Sequence, residues 1–160
     1  MGAKASEAVT PEVRGMYFED FAIGRSMTSP GRTITETDVV LFSGISGDFN
    51  ELHTNVEFAA ASHFGQRIAH GLLGLAVASG LAGRAGFIEG TAIAFVGLEW
   101  KFKSPILIGD TIRLQAQVTK TRPMRAVGGG MVIFQVQLIN QRQETVQEGE
   151  WRVLVRSRPA

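Results

Sequence analysis

The stretch Ile68-Ala69-His70-Gly71-Leu72-Leu73-Gly74-Leu75-Ala76-Val77-Ala78-Ser79-Gly80-Leu81-Ala82-Gly83-Arg84-Ala85 is apolar or small on nearly every side of a helix. Such a helix is stable in water when protein surrounds it, so Ala69 to Arg84 predicts a buried, central helix. Gly71, Gly74, Gly80 and Gly83 keep the stretch short of the ~20 strongly apolar residues that a membrane span needs. Each glycine also costs about 1 kcal/mol of helix propensity relative to alanine. Their presence predicts that another layer packs closely against the helix backbone, as a sheet wrapped around it would.

The residues that follow supply that layer. Val96, Leu98, Trp100 and Phe102 alternate with Gly97, Glu99, Lys101 and Lys103, the period of a half-buried strand. The same period recurs in Ile112, Leu114, Ala116 and Val118, in Val132, Phe134, Val136 and Leu138, and in Trp151, Val153 and Val155. Ile108-Gly109-Asp110 and Asn140 to Glu144 have the composition of tight connections, and Pro123 with Gly128 to Gly130 that of a longer or bulged one. Four strands in succession predict an antiparallel meander, hence an α+β architecture in which helix and sheet share one core. A sheet with an open edge predicts a homodimer or higher homo-oligomer that covers an edge strand.

Before the central helix, Thr35-Glu36-Thr37-Asp38 has the form of a capping box ahead of Val39, Val40, Phe42 and Ile45, predicting a helix that Gly47 ends. Val56 to His63 predicts a second short helix, terminated by Gly65. Residues 1–16 mix charges with small residues and lack an apolar signal segment, so they read as a loose tail before one domain over 17–160. A length of 160 residues suits one domain, and a net charge of +1 without a basic run argues against a nucleic-acid partner. With no cysteine there is no disulfide framework or thiolate nucleophile, and the cytoplasm is the expected location. The three histidines include no i, i+4 pair beside an acid, so no metal site is expected. Gly128-Gly129-Gly130 lacks the Lys-Ser/Thr ending of a phosphate loop and reads as a flexible strand connection.

Polar chemistry concentrates in Phe42-Ser43-Gly44-Ile45-Ser46-Gly47-Asp48-Phe49-Asn50-Glu51-Leu52-His53-Thr54-Asn55. A carboxylate and an imidazole five positions apart on a turn can converge on one water, the carboxylate accepting its proton while the imidazole orients or protonates. Residue types alone leave two readings open. Gly-Asp-Phe-Asn is equally an ordinary turn in which Asp48 and Asn50 bond their own backbone, and a lone His53 is more often structural.

The segment resembles the hydratase signature of MaoC-like proteins, an aromatic, an aliphatic and a small residue followed by Gly-Asp-x-Asn-Pro-aliphatic-His-x-Asn. Phe42, Ile45, Ser46, Gly47, Asp48, Asn50, Leu52, His53 and Asn55 match it, and Ile68 to Leu73 and the four-strand tail fall in corresponding places. The resemblance covers about Tyr17 to Arg156. It implies a hotdog fold and an (R)-specific enoyl-CoA hydratase or 3-hydroxyacyl-CoA dehydratase. Such an enzyme adds water reversibly to a trans-2-enoyl thioester carried on CoA or acyl carrier protein, with no cofactor besides that substrate. By the same resemblance Asp48 and His53 form the acid/base pair, the Gly71 N–H stabilises the thioester oxyanion, and Asn50 and Ser79 support the site. His70 is left outside the catalytic set, and Lys103, Arg122 and Arg125 are candidate cations for the CoA phosphates. One departure is Glu51 in the place of the family proline, which adds a charge next to the pair. Two other readings compete: a hotdog thioesterase, lowered by the lack of any Asp or Glu from Gly71 to Gly83, and a non-catalytic acyl-binding module, motivated by Glu51.

Overall fold

The computed structural model describes residues 14–159, so most of the tail expected over 1–16 lies outside the described residues. Where the two overlap the expectation is corrected. The N–H groups of Gly15 and Met16 donate to the carbonyls of Glu89 and Phe87 at 2.8 and 2.9 Å, which ties the chain to the domain before Tyr17.

The elements, in chain order, are β1 (Ser26–Thr28), β2 (Arg32–Thr33), α1 (Glu36–Ser46), α2 (Glu51–Thr54), α3 (Val56–Ala61), α4 (Gly71–Ala85), β3 (Ala92–Phe102), β4 (Thr111–Met124), β5 (Gly129–Ile139) and β6 (Thr145–Arg156). All strand pairs are antiparallel, in the order β1-β4-β5-β6-β3, with β2 pairing an end of β4. The alternating residues of β4, β5 and β6 face α4, and Leu114, Val118, Val132, Phe134, Val136, Trp151 and Val153 pack with Leu73, Val77, Ala78 and Leu81 in one core. This is the α+β arrangement expected. A run of ~10 buried aliphatic and aromatic side chains, each contributing about 1.5–3 kcal/mol, is ample to hold sheet and helix together.

The meander is corrected in one respect: β3 lies beside β6, the last strand, and not beside β4. Residues 103–110 are therefore a crossover and not a hairpin. They pass over the start of α4, where the Ala69 N–H donates to the Ile106 carbonyl at 2.8 Å and Ile68 bridges Leu107. The predicted half-burial of β3 also fails, because this edge strand carries register shifts at Ala92/Ala94 and Phe95/Gly97. Val96, Leu98 and Phe102 are exposed, while Ala94, Gly97 and Trp100 take the half-buried positions.

The expectation that α4 is enclosed holds on one face. Leu73, Gly74, Val77, Ala78, Leu81 and Ala82 are buried, but Leu72 is 60% exposed and Ala76, Ser79, Gly80 and Gly83 also face outward. The glycines divide accordingly. A Cβ at Gly71 would lie 2.8 Å from the Phe102 ring and one at Gly74 would lie 2.7 Å from Ile106 Cδ1, whereas Gly80 and Gly83 meet nothing within 4 Å. Gly129 and Gly130, read as a flexible connection, are buried within β5, and a Cβ at Gly130 would strike the Phe18 ring.

Candidate active site

Local sequence builds the loop that carries the site. Thr35 Oγ1 accepts from the Asp38 N–H at 3.3 Å and the Asp38 carboxylate accepts from the Thr35 N–H at 2.8 Å, so the capping box starts α1 as expected. Gly47 ends it with φ of 74°, the left-handed value that glycine adopts without strain. The chain then makes the Asp-Asn turn. Ser46 Oγ accepts from the Asp48 N–H at 3.1 Å, Asp48 Oδ1 accepts from the Asn50 N–H at 3.2 Å, and Asn50 Oδ1 accepts from the Leu52 N–H at 3.0 Å to cap α2. The ordinary-turn reading and the site reading are therefore not rivals, because the turn is what delivers Asp48 and His53 to one place.

His53 Nδ1 lies 2.8 Å from the Ile68 carbonyl, and His70 Nε2 lies 2.9 Å from the Asp48 carbonyl. A carbonyl can only accept, so both nitrogens carry the hydrogen. The two imidazoles stack with centroids 3.8 Å apart at 31°. Asp48, His53 and His70 each bring one ligand-type atom within 4.8 Å of the others. Such a donor set suits a divalent transition metal by ligand type, and the spacing rule missed it because its members come from a loop, a short helix and a helix cap. One nitrogen of each ring is already held by a carbonyl, an arrangement that orients an acid/base pair as well as it orients metal ligands.

These side chains open onto a cleft of about 650 Å³. Its walls are mostly apolar, including Phe64, Leu72, Phe102 and Ile106, and it reaches Gly71 at the start of α4. As the first helical residue, Gly71 has an N–H with no intrahelical acceptor, at the positive end of the helix. Its carbonyl is held by Gln147 Nε2 at 3.0 Å, and Gln147 Oε1 accepts from Trp100 Nε1 at 2.9 Å. Arg67 ties the approach to α4 onto α1 through Glu36, with bonds of 2.8 and 2.6 Å. The hydrogen bond from that guanidinium, helped by its charge and opposed by slight burial, holds the Glu36 carboxyl below its ordinary value.

Of the residues singled out in the sequence, Asp48, His53 and Gly71 meet at the cleft, and Asn50 stands behind Asp48 and caps α2. Ser79 does not reach it. It sits on the open face of α4, and its hydroxyl donates to the Ala76 carbonyl at 2.7 Å. Glu51 is exposed and accepts from Asn55 Nδ2 at 2.9 Å. Of the candidate phosphate cations, Lys103 lines the cleft and pairs with Glu148 at 3.3 Å, whereas Arg125 lines a separate depression and Arg122 is not part of the wall. His70, 2% exposed and outside the catalytic set expected from the sequence, lines the cleft. Gln147, also 2% exposed, has the same parity as Trp151, Val153 and Val155, and a polar residue on the inward side of a strand is the signal that could have found it.

Comparison with known proteins identifies the family and the fold. The MaoC like domain family model matches residues 20–137. An (R)-specific enoyl-CoA hydratase of Rhodospirillum rubrum is 39% identical over 107 residues, covering 67% of this chain and 72% of the relative. A 3-hydroxybutyryl-CoA dehydratase of Methylorubrum extorquens is 35% identical over 115 residues, covering 72% of this chain and 71% of the relative. A Mycobacterium tuberculosis protein with a double hotdog fold superposes with a TM-score of 0.81 at 20% identity, over 93% of this chain and 46% of that one, a likeness of fold alone. With three quarters of its length inside the matched region and a sheet wrapped on one helix as in the hotdog fold, the chain belongs to the MaoC-like domain family.

Proposed function

We propose that this protein is an (R)-specific enoyl-CoA hydratase, equally a 3-hydroxyacyl-CoA dehydratase, acting on a trans-2-enoyl thioester of CoA or acyl carrier protein. The observation that carries the reading is the convergence of Asp48 and His53 on a mostly apolar cleft that ends at the Gly71 N–H. With Nδ1–H given to Ile68, a neutral His53 has a bare Nε2, so this nitrogen and the Asp48 carboxylate are both acceptors. A water donating to both turns an oxygen lone pair toward C3 of the enoyl group. As the O–C3 bond forms, the alkene electrons move to the thioester oxygen, where the Gly71 N–H and the helix terminus stabilise the enolate. The proton lost by water passes to one of the pair and is returned to C2, which closes the balance with no cofactor. The apolar wall takes the acyl chain, and Lys103 is the cleft cation closest in kind to a CoA phosphate partner.

The relatives named for hydratase and dehydratase activity support the same reaction class. The thioesterase alternative finds no support in α4, which carries no acidic residue. We further infer that the described residues act as one domain and that it works in the cytoplasm, a compartment that suits a chain without cysteine. Among the described residues no helix is long and apolar enough to cross a membrane. The test is hydration of crotonyl-CoA, followed by loss of enoyl absorbance at neutral pH. The wild type is expected to turn over, and Asp48→Asn to lose at least about 100-fold in kcat, the lower end of what a general acid/base contributes. An Asp48→Asn enzyme as active as the wild type would remove the proposed mechanism.

A further inference from the structure

We propose that His70 is a positioning residue that sets Asp48, His53 and Gly71 in register, an inference that rests on the hydratase reading above. Three contacts of one ring support it. Its Nε2–H donates to the Asp48 carbonyl at 2.9 Å, with Ser43 Oγ 3.4 Å from the same nitrogen. Its face stacks on the His53 ring at a centroid distance of 3.8 Å, and Phe42 closes on it at 5.0 Å. Its backbone is the N-cap of α4, so the next residue is Gly71. The carboxylate, the imidazole and the oxyanion donor come from a loop, a short helix and a long helix, and His70 holds the backbone of the first, packs on the ring of the second and directly precedes the third in the chain.

The ring's other nitrogen makes no bond that competes with the one to Asp48. Nδ1 is buried, and among the described residues nothing hydrogen-bonds it. Although His70 is an N-cap, its side chain makes no capping bond to the helix. An unsatisfied buried acceptor is a cost that native proteins rarely carry without a reason. A flip of the ring would take the N–H away from Asp48, so the bare nitrogen is tolerated where it is. It follows that the two stacked histidines are held as opposite tautomers, His70 as Nε2–H and His53 as Nδ1–H, each fixed by a backbone carbonyl. His53 Nε2 is thereby left bare toward the cleft, as the reaction requires.

The chain has three histidines, so a long-range proton–nitrogen correlation spectrum can be assigned with the single variants His63→Gln and His70→Gln. The expected spectrum has a protonated Nε2 on His70 and a protonated Nδ1 on His53. His70→Phe keeps a ring against His53 but removes the donor. It is expected to stay folded by circular dichroism, to lower kcat for crotonyl-CoA by more than tenfold at little changed KM, and to leave His53 protonated at Nδ1, where the Ile68 carbonyl holds it. His70→Gln, whose amide can donate to the Asp48 carbonyl, is expected to recover part of kcat. A His70 protonated at Nδ1 alone, or a folded His70→Phe with kcat within twofold of wild type, overturns the proposal. If His70→Phe unfolds, His70→Gln decides. A kcat lowered two- to tenfold at little changed KM supports the positioning role, whereas a kcat within twofold of wild type, or a loss of more than tenfold, opposes it. A wild type inactive on every enoyl thioester overturns the hydratase reading instead, and the spectrum still decides the tautomers.

Discussion

Glu51 occupies the first helical position of α2, directly after the Asn50 cap. The N–H there has no intrahelical acceptor, which is why proline fits such a position, and the helix end is positive, which is why a glutamate fits it as well. Its carboxylate accepts from Asn55 Nδ2 and is not part of the cleft wall. The departure from the family proline thus alters how the turn is held and leaves the pair alone. Glu51→Pro is accordingly expected to keep kcat and KM for crotonyl-CoA within about threefold and to shift stability by less than ~1 kcal/mol, the size of an exposed proline or capping effect. A loss of kcat as large as that of Asp48→Asn would place Glu51 in the chemistry. That Asp48 and His53 share one turn was legible because its instructions are local, written in Gly47, Asp48 and Asn50, while their roles rest on the family resemblance. The contacts of His70 with Asp48 and of Gln147 with Gly71 were not legible, since each spans distant parts of the chain.

The start of α4 is held from the sheet as well as from the loop. Gln147 of β6 receives the Trp100 indole N–H and passes its own amide to the Gly71 carbonyl, so edge strand, inner strand and helix are joined by two bonds. Gln147→Leu keeps much of the volume and deletes both. The Trp100 N–H and Gly71 carbonyl are then left without these partners, at a cost of about 1–3 kcal/mol, read as a lower urea midpoint with an unchanged slope. An unchanged midpoint would mean that water replaces the amide and that Gln147 fastens nothing. The inner strands β4, β5 and β6 announced themselves by strict alternation because one face of each is buried along most of its length. β3 misled, since an edge strand with two register shifts keeps the sequence period without the burial. β1 and β2, with 3 and 2 residues, are too short for any period to show.

Two properties belong to the whole molecule. The first is acid sensitivity. Asp110 is almost fully buried at the turn into β4, and burial pushes its carboxyl up. Hydrogen bonds from Arg142, the Leu107 N–H and Gln141, with the charge of Arg142, outweigh that and hold it below the ordinary value. A carboxyl depressed in the folded state stabilises fully above its unfolded value of about 3.9, and that contribution is lost as pH falls through the folded value. Arg142→Met leaves burial unopposed by the guanidinium. The variant should be less stable than the wild type at pH 7, and the gap between the two melting temperatures should close as pH falls from about 5 to about 3; parallel curves would discount the pair. The second is assembly. Ile93, Phe95, Val96 and Leu98 stand exposed on the free edge β3, and Leu72, Ala76, Ser79, Gly80 and Gly83 form the bare face of α4. An apolar edge strand is an aggregation hazard unless something pairs with it, and the small residues of α4 permit close approach. We infer that a second copy of the chain covers both, which would also place Ser79 at the interface. Sedimentation equilibrium at micromolar concentration is expected to give at least twice the chain mass of 17.3 kDa. Leu98→Arg should lower that mass toward one chain, because a guanidinium cannot be buried there without a partner. A wild type that sediments as a monomer would show that the edge is protected by its twist and bulges alone.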